Sequence, residues 1–336
     1  MANRRLLTRK RSKRAIWWSL GLFFLGQALV GLALDYRFPL TRFPTAASVL
    51  ERAAAEPKPP EVIFLGSSRT QTGVVVGEAN RLLAEHKGRS APHAFNAAVA
   101  AGDSYCAEFI FERLLAQGTK PRWAVLEVSP ELLGARPPFI GEHVRRQFTW
   151  EHLFTELPAM VKANSAGLYA EARFVPIYTH RRQIVRQSKE ALREHVPLTE
   201  ASNPTPIAKP VAGASVRTDG FGETVPSFAP PSTDPNADEV LLAQSKAGSE
   251  RVVRRWLRNY RIGGPAPHAL ERTLARCQAE GIHVILMGIP ACTAHRKEFS
   301  VEILASYHGY ITDLPNFPDS RERFLTFSWW RMTAFH

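Results

Sequence analysis

The stretch EVIFLGSSRT, residues 61–70, decides the fold. Four apolar residues, Val62–Leu65, run into Gly66, Ser67 and Ser68. A short apolar run halted by turn residues reads as a buried strand followed by a tight turn. Working outward, EANRLLAEH (78–86) reads as a helix and HAFNAAVA (93–100) as a second strand, leading into a loop at Ala101-Gly102-Asp103. SYCAEFIFERLLAQG (104–118) has helical spacing and stops at Gly118; WAVLEVSP (123–130) is a third strand. The pattern returns late in the chain, where HALERTLARCQAEG (268–281) is a helix and IHVILMGIP (282–290) a strand. Strands alternating with helices predict an α/β domain: a three-layer, doubly wound, mainly parallel sheet with helices on both faces, spanning 61–336. An insertion interrupts it at about 151–240. Its first part is helical (151–195), and 196–238 is rich in Pro, Ser, Thr, Asn and Gly without periodicity, as in a long surface loop.

The N-terminus has a different character. Residues 1–14 hold seven Lys and Arg and no acid, so more than half of the net charge of +12 belongs to this tail. A basic balance concentrated in one tail does not argue for nucleic-acid binding. AIWWSLGLFFLGQALVGLAL, residues 15–34, follows, with Ser19 and Gln27 as its clearly polar members. Twenty helical residues span roughly 30 Å, the thickness of a bilayer's hydrocarbon core. The positive-inside rule then predicts a single-pass signal anchor in the lipid bilayer, with the tail cytoplasmic and the domain extracytoplasmic. The apolar stretch is longer than the core of a cleaved signal peptide and no A-x-A site follows it. Residues 35–60 read as a stalk with a short helix at AASVLERAAAE. Cys106, Cys277 and Cys292 show no metal-ligand spacing and read as free thiols. No metal site is expected.

Gly66-Ser67-Ser68-Arg69-Thr70 closes the first strand. Open α/β sheets bind ligands at the C-terminal ends of their strands. A serine held there, beside the N–H groups of a turn, has the setting of a nucleophile with a stabilised oxyanion. The same residues are also ordinary turn chemistry. A rival stands at Gly102-Asp103-Ser104, which follows the second strand; Ser68 is preferred because its strand is the more apolar.

Taken together, VIFLGSSRT, FNAAVAAGDS and KPRWAVLEVSP resemble the SGNH/GDSL hydrolase superfamily, within it the membrane-anchored branch that includes proteins of teichoic-acid D-alanylation and alginate O-acetylation. The resemblance covers about 61–133 and, loosely, 268–290. It implies a flavodoxin-like sheet, Ser68 as nucleophile, and an oxyanion hole from Ser68 and Gly102. Ser129 stands where the family's third block has Asn. The family's closing D-x-x-H matches only at His336, the candidate base, with Thr333 at the Asp position; Asp313 and Asp319 lie nearby at other spacings. Either the reading frame ends early or the domain has lost its base.

The resemblance implies no cofactor. It implies a membrane-anchored serine esterase or O-acyltransferase acting on a cell-envelope glycan, with a membrane-bound acyl-transfer partner. The alternative is a catalytically degenerate member with a binding or assembly role. In RVVRRWLRNYR (251–261), a helix would gather Arg251, Arg254, Arg255 and Arg258 on one face and Val252, Trp256 and Tyr260 on another. That face is either a solvated arginine surface or a contact for anionic headgroups or glycan.

Overall fold

The computed structural model describes residues 2–37, 43–135, 149–181 except 165, 250–289 except 252, 293–314 and 324–325, with isolated helical positions at 184, 185 and 188. The architecture is α/β. Four strands, β1 (Val62–Leu65), β2 (Ala94–Asn96), β3 (Trp123–Val128) and β4 (His283–Gly288), form a sheet in the order β2-β1-β3-β4. A two-residue strand, β5 (Phe324–Leu325), extends it beyond β4. Every pairing is parallel, with Val62 opposite both Ala94 and Trp123, and Val128 opposite Gly288. Parallel strands are covered by their crossovers and therefore read as apolar runs; β3 is buried from Ala124 to its end. One residue breaks that rule: Glu127, buried inside the run.

The helices include α1 (Ala2–Leu32), α2 (Pro44–Ala55), α3 (Ser68–Gly73), α4 (Val76–Lys87), α5 (Ser104–Ala116), α6 (Pro130–Leu133), α7 (Trp150–Lys162), α8 (Ala166–Phe174), α9 (Pro265–Ala279), α10 (Thr293–Arg296) and α11 (Val301–Thr312), and helical turns also stand at 176–181 and 250–257. Their starts follow local chemistry. Ser67, Asp103 and Ser300 cap α3, α5 and α11 with side-chain acceptors, and Thr149 with His152 forms a capping box on α7. Gly264, at φ 78°, opens α9 with Pro265 at its first position. The core joins Ile63, Leu65, Phe95, Leu126 and Leu286 of the sheet to Ile110, Phe111 and Leu114 of α5 and to Leu270, Leu274 and Cys277 of α9. Cys106 and Cys277 are free and buried; Cys292 lies outside the described residues.

Three expectations change. The segment 35–60 is not a detached stalk: Phe43 and the α2 stripe Ala46, Val49, Leu50 and Ala53 are buried in the main core. These positions recur at helical spacing, so α2 has one apolar face to bury and α5 supplies the surface. The second strand is shorter than 93–100, ending at Asn96, though the chain stays beside β1 a little further, Ala97 N–H donating to Phe64 O and Val99 N–H to Gly66 O. The arginine helix ends at residue 257, two residues before Asn259 takes φ 54°, so no helical face runs on to Tyr260; among its described residues Val253 and Leu257 are buried, and Val252 lies outside them. Arg254 pairs with Glu298 at 2.7 Å.

The N-terminal helix is long and apolar enough across Lys13–Arg37 to cross a membrane. The first part of the predicted insertion is helical, as α7 and α8, and 189–249 lies outside the described residues. Arg272 of α9 ties α7 to α5 by pairing with both Glu156 and Glu108.

Candidate active site at the end of the first strand

The strand order reverses between β1 and β3: the chain passes from β1 outward to β2, then returns to the other side of β1 for β3. At such a switch point the connections leave in opposite directions and open a crevice beyond the strand ends. Gly66–Thr70 follows β1 at this point and Ser129–Leu133 follows β3.

Glu127 organises the first turn. Its Oε2 accepts the Ser67 N–H at 2.6 Å and the Thr70 hydroxyl at 2.6 Å; its Oε1 accepts the Ser67 hydroxyl at 2.8 Å and Arg69 Nε at 3.1 Å. Ser67 is thereby consumed, since its Oγ also accepts the Arg69 N–H as the cap of α3. Gly66 is required by the same contact: a Cβ there would meet Glu127 Oε2 and Thr70 Oγ1, each at 2.5 Å. Arg69 reaches across to Glu131 at 2.6 Å and donates to Ser129 Oγ at 2.8 Å. Burial alone would depress this guanidinium, but Glu131 and then Glu127 outweigh it and its pKa is raised. From the other side, Asn96 of β2 donates through Nδ2 to the Thr70 and Val74 carbonyls, tying down the end of α3.

Ser68 is the residue this scaffold leaves over. It is the first residue of α3 and half-buried, and its hydroxyl has no hydrogen-bond partner among the described residues. Ser104, the rival, is also the first residue of a helix but is buried, its Oγ without a hydrogen-bond partner, beside a small cavity lined also by Gly66, Asp103, Glu127 and Thr273. Asp103 caps α5 through the Cys106 N–H at 2.9 Å, and its other oxygen is buried without a partner. Desolvation lifts the Asp103 carboxyl to about 6 against the backbone hydrogen bonds that lower it.

The remaining predicted site residues are placed as follows. Gly102 packs against the β1 turn so closely that a Cβ would lie 2.7 Å from Gly66 O, and its N–H donates to Val99 O at 3.0 Å. Ser129 is buried, and its hydroxyl holds Arg69. His336, Thr333 and Asp319 lie outside the described residues, and Asp313 is the exposed C-cap of α11. No described histidine hydrogen-bonds to Ser68: His93 pairs with Glu56 and His268 with Glu156. Among the described residues no cluster of His, Cys, Asp or Glu could hold a metal ion.

Sequence reading passed over Glu127 and Arg69. The signal was present as a lone acid inside the apolar run WAVLEV and an arginine directly after Gly-Ser-Ser. A scan against protein-family models and a search of curated proteins both return no match.

Proposed function

We propose that this chain is a membrane-anchored serine esterase or O-acyltransferase of SGNH type, acting on a cell-envelope glycan outside the cytoplasm. The observation that carries the reading is the position of Ser68: at the switch point of a parallel sheet of order 2-1-3-4-5, half-exposed, on a turn fixed by a buried carboxylate. That order also supports a three-layer, flavodoxin-like sheet. Ser68 Oγ attacks the acyl carbonyl and gives its proton to a base, for which His336 is the candidate. The sugar hydroxyl departs with a proton, leaving an acyl-serine. Water then completes hydrolysis, or a second sugar hydroxyl completes transfer, and Ser68 regains its proton. The Ser68 N–H, at the first turn of α3, is free of an intrahelical partner by its position and suits a developing oxyanion. The apolar N-terminal helix supports single-pass anchoring, with the basic tail in the cytoplasm. A membrane-bound acyl donor follows from the family resemblance alone.

A second reading, a binding or assembly role on the same fold, is favoured by one specific observation. The Gly102 N–H, one of the expected oxyanion donors, already bonds to the Val99 carbonyl. Hydrolysis of p-nitrophenyl acetate by the full chain separates the two readings. The enzyme reading expects turnover that Ser68→Ala lowers on the order of 10³-fold or more. A folded parent with no turnover above its Ser68→Ala variant would leave the binding reading.

A further inference from the structure

The helical pair α7–α8 and the turn that follows carry an apolar surface that no other described residue covers. Phe154, Leu157 and Val161 recur at helical spacing on α7, and Phe154 is 73% exposed. Glu156 and Met160, on a neighbouring face of the same helix, are buried. Phe174 at the end of α8 and Ile177 and Tyr178 beyond it are exposed as well, with Trp150 of α7 meeting Phe174 edge-on at 5.6 Å. An aromatic and aliphatic patch of this kind marks an interaction surface.

Its neighbour identifies the partner. The patch is joined to α1 by a sequence of contacts that run down that helix. Arg173, 1% exposed in its side chain, pairs with Asp35 at 2.7 Å, just beyond the apolar span. Pro176 packs on Gly31, where an added Cβ would sit 3.6 Å from it. The Ile177 N–H donates at 3.2 Å to Oε1 of Gln27, which is buried. Gln27 lies seven residues inside the end of the span at Leu34, about 10 Å along the helix. The chain therefore descends beside α1 to a level inside the apolar span. Helix starts carry unpaired N–H groups, and in hydrocarbon each must find an acceptor within the protein. Gln27, a polar residue in the apolar span, supplies that acceptor for the helical turn at 176–181. Arg181 closes that turn, stacked on the Tyr178 ring at 3.9 Å, its long stem able to carry the guanidinium up toward the headgroups.

We propose that the apolar face of α7, the end of α8 and the 176–181 turn are seated in the lipid leaflet at the C-terminal end of α1. The domain then rests on the membrane instead of standing away from it. The depth set by Gln27 matches that of interfacial helices, whose apolar faces reach about 5–10 Å below the boundary. The proposal rests on the anchored reading of α1. It adds a second contact with the bilayer, which would hold the sheet at a fixed height above the lipid.

The test places the photoreactive residue benzoylphenylalanine singly at Leu25, Phe154, Ile177 or Lys87 of the full chain, in phosphatidylcholine vesicles containing radiolabelled lipid. All four side chains are exposed, so the substitutions spare the core. Lipid adducts are expected at Leu25, Phe154 and Ile177, each at least about tenfold above Lys87. Adducts at Leu25 alone would overturn the proposal while leaving the anchor intact. Absence of adducts at Leu25 as well would overturn the anchored reading and the proposal with it.

Discussion

Two turns lie side by side at the C-terminal edge of the sheet, and they differ in what they do with the same parts. Each ends a parallel strand or its extension, caps a helix with a polar side chain, and places a serine at that helix's first position. In the first, a buried carboxylate from the neighbouring strand meets donors at both oxygens, and Ser68 is left half-exposed. In the second, the buried carboxylate belongs to the cap itself, one of its oxygens is unpaired, and Ser104 faces inward. A literal Gly-Asp-Ser motif is thus a helix start turned toward the core, whereas the less familiar Gly-Ser-Ser presents a hydroxyl. The motif's letters matter less than which of its side chains the fold consumes.

The sharpest way to break this contrast is to remove the carboxylate that fixes the first turn. Glu127→Gln leaves Arg69 without part of its charge partner and turns an amide N–H₂ toward groups that donate. A loss of about 3–5 kcal/mol in chemical denaturation is expected, whereas a change below about 1 kcal/mol would show that the turn does not depend on Glu127.

The second turn predicts a pH dependence. The Asp103 carboxyl is raised from 3.8 to about 6 by burial, so the folded protein retains this proton at pH values where the unfolded chain has lost it. Its contribution to stability is therefore full below about pH 4, falls as pH rises toward 6, and is lost above that. A shift of this size corresponds to about 3 kcal/mol. Asp103→Asn keeps a capping oxygen but cannot titrate. Melting curves between pH 4 and pH 7 should show the wild-type chain losing stability relative to the variant; parallel profiles would contradict the assignment.

The close approach of the two turns is tested by their glycines. Gly66→Ala meets Glu127 and Thr70 side chains, and Gly102→Ala meets the backbone carbonyls of Gly66 and Val99. Each should cost about 1–3 kcal/mol, Gly102→Ala the more because a backbone neighbour cannot rotate aside. The serines should matter least to stability. Ser68→Ala is expected within about 0.5 kcal/mol of the parent, and Ser104→Ala, which removes a buried hydroxyl without a partner, should be neutral or stabilising by up to about 1 kcal/mol.

The α/β class was legible because parallel strands covered on both faces must be continuously apolar: VIFL and WAVLEV show this directly, and each is followed by turn residues. The candidate serine was legible for the same reason, as a turn residue at a strand end. The helix in 44–55 was visible in part, but its partner surface on α5 is sixty residues away, so its inclusion in the core was not. The network around Glu127 joins positions 57–60 residues apart and is set by the β1–β3 register, which local spacing does not specify. Gln27 looked like a tolerated polar residue in an apolar span until its acceptor role toward Ile177 linked two segments 150 residues apart.

The central claim is that Ser68, and not Ser104, is the activated hydroxyl of this sheet edge. Fluorophosphonate labelling of the full chain, followed by mass-spectrometric mapping of the modified serine, tests it most directly. The account predicts a single adduct on Ser68, retained in Ser104→Ala and absent from Ser68→Ala. An adduct on Ser104, or a folded chain that takes no label at Ser68, would contradict it.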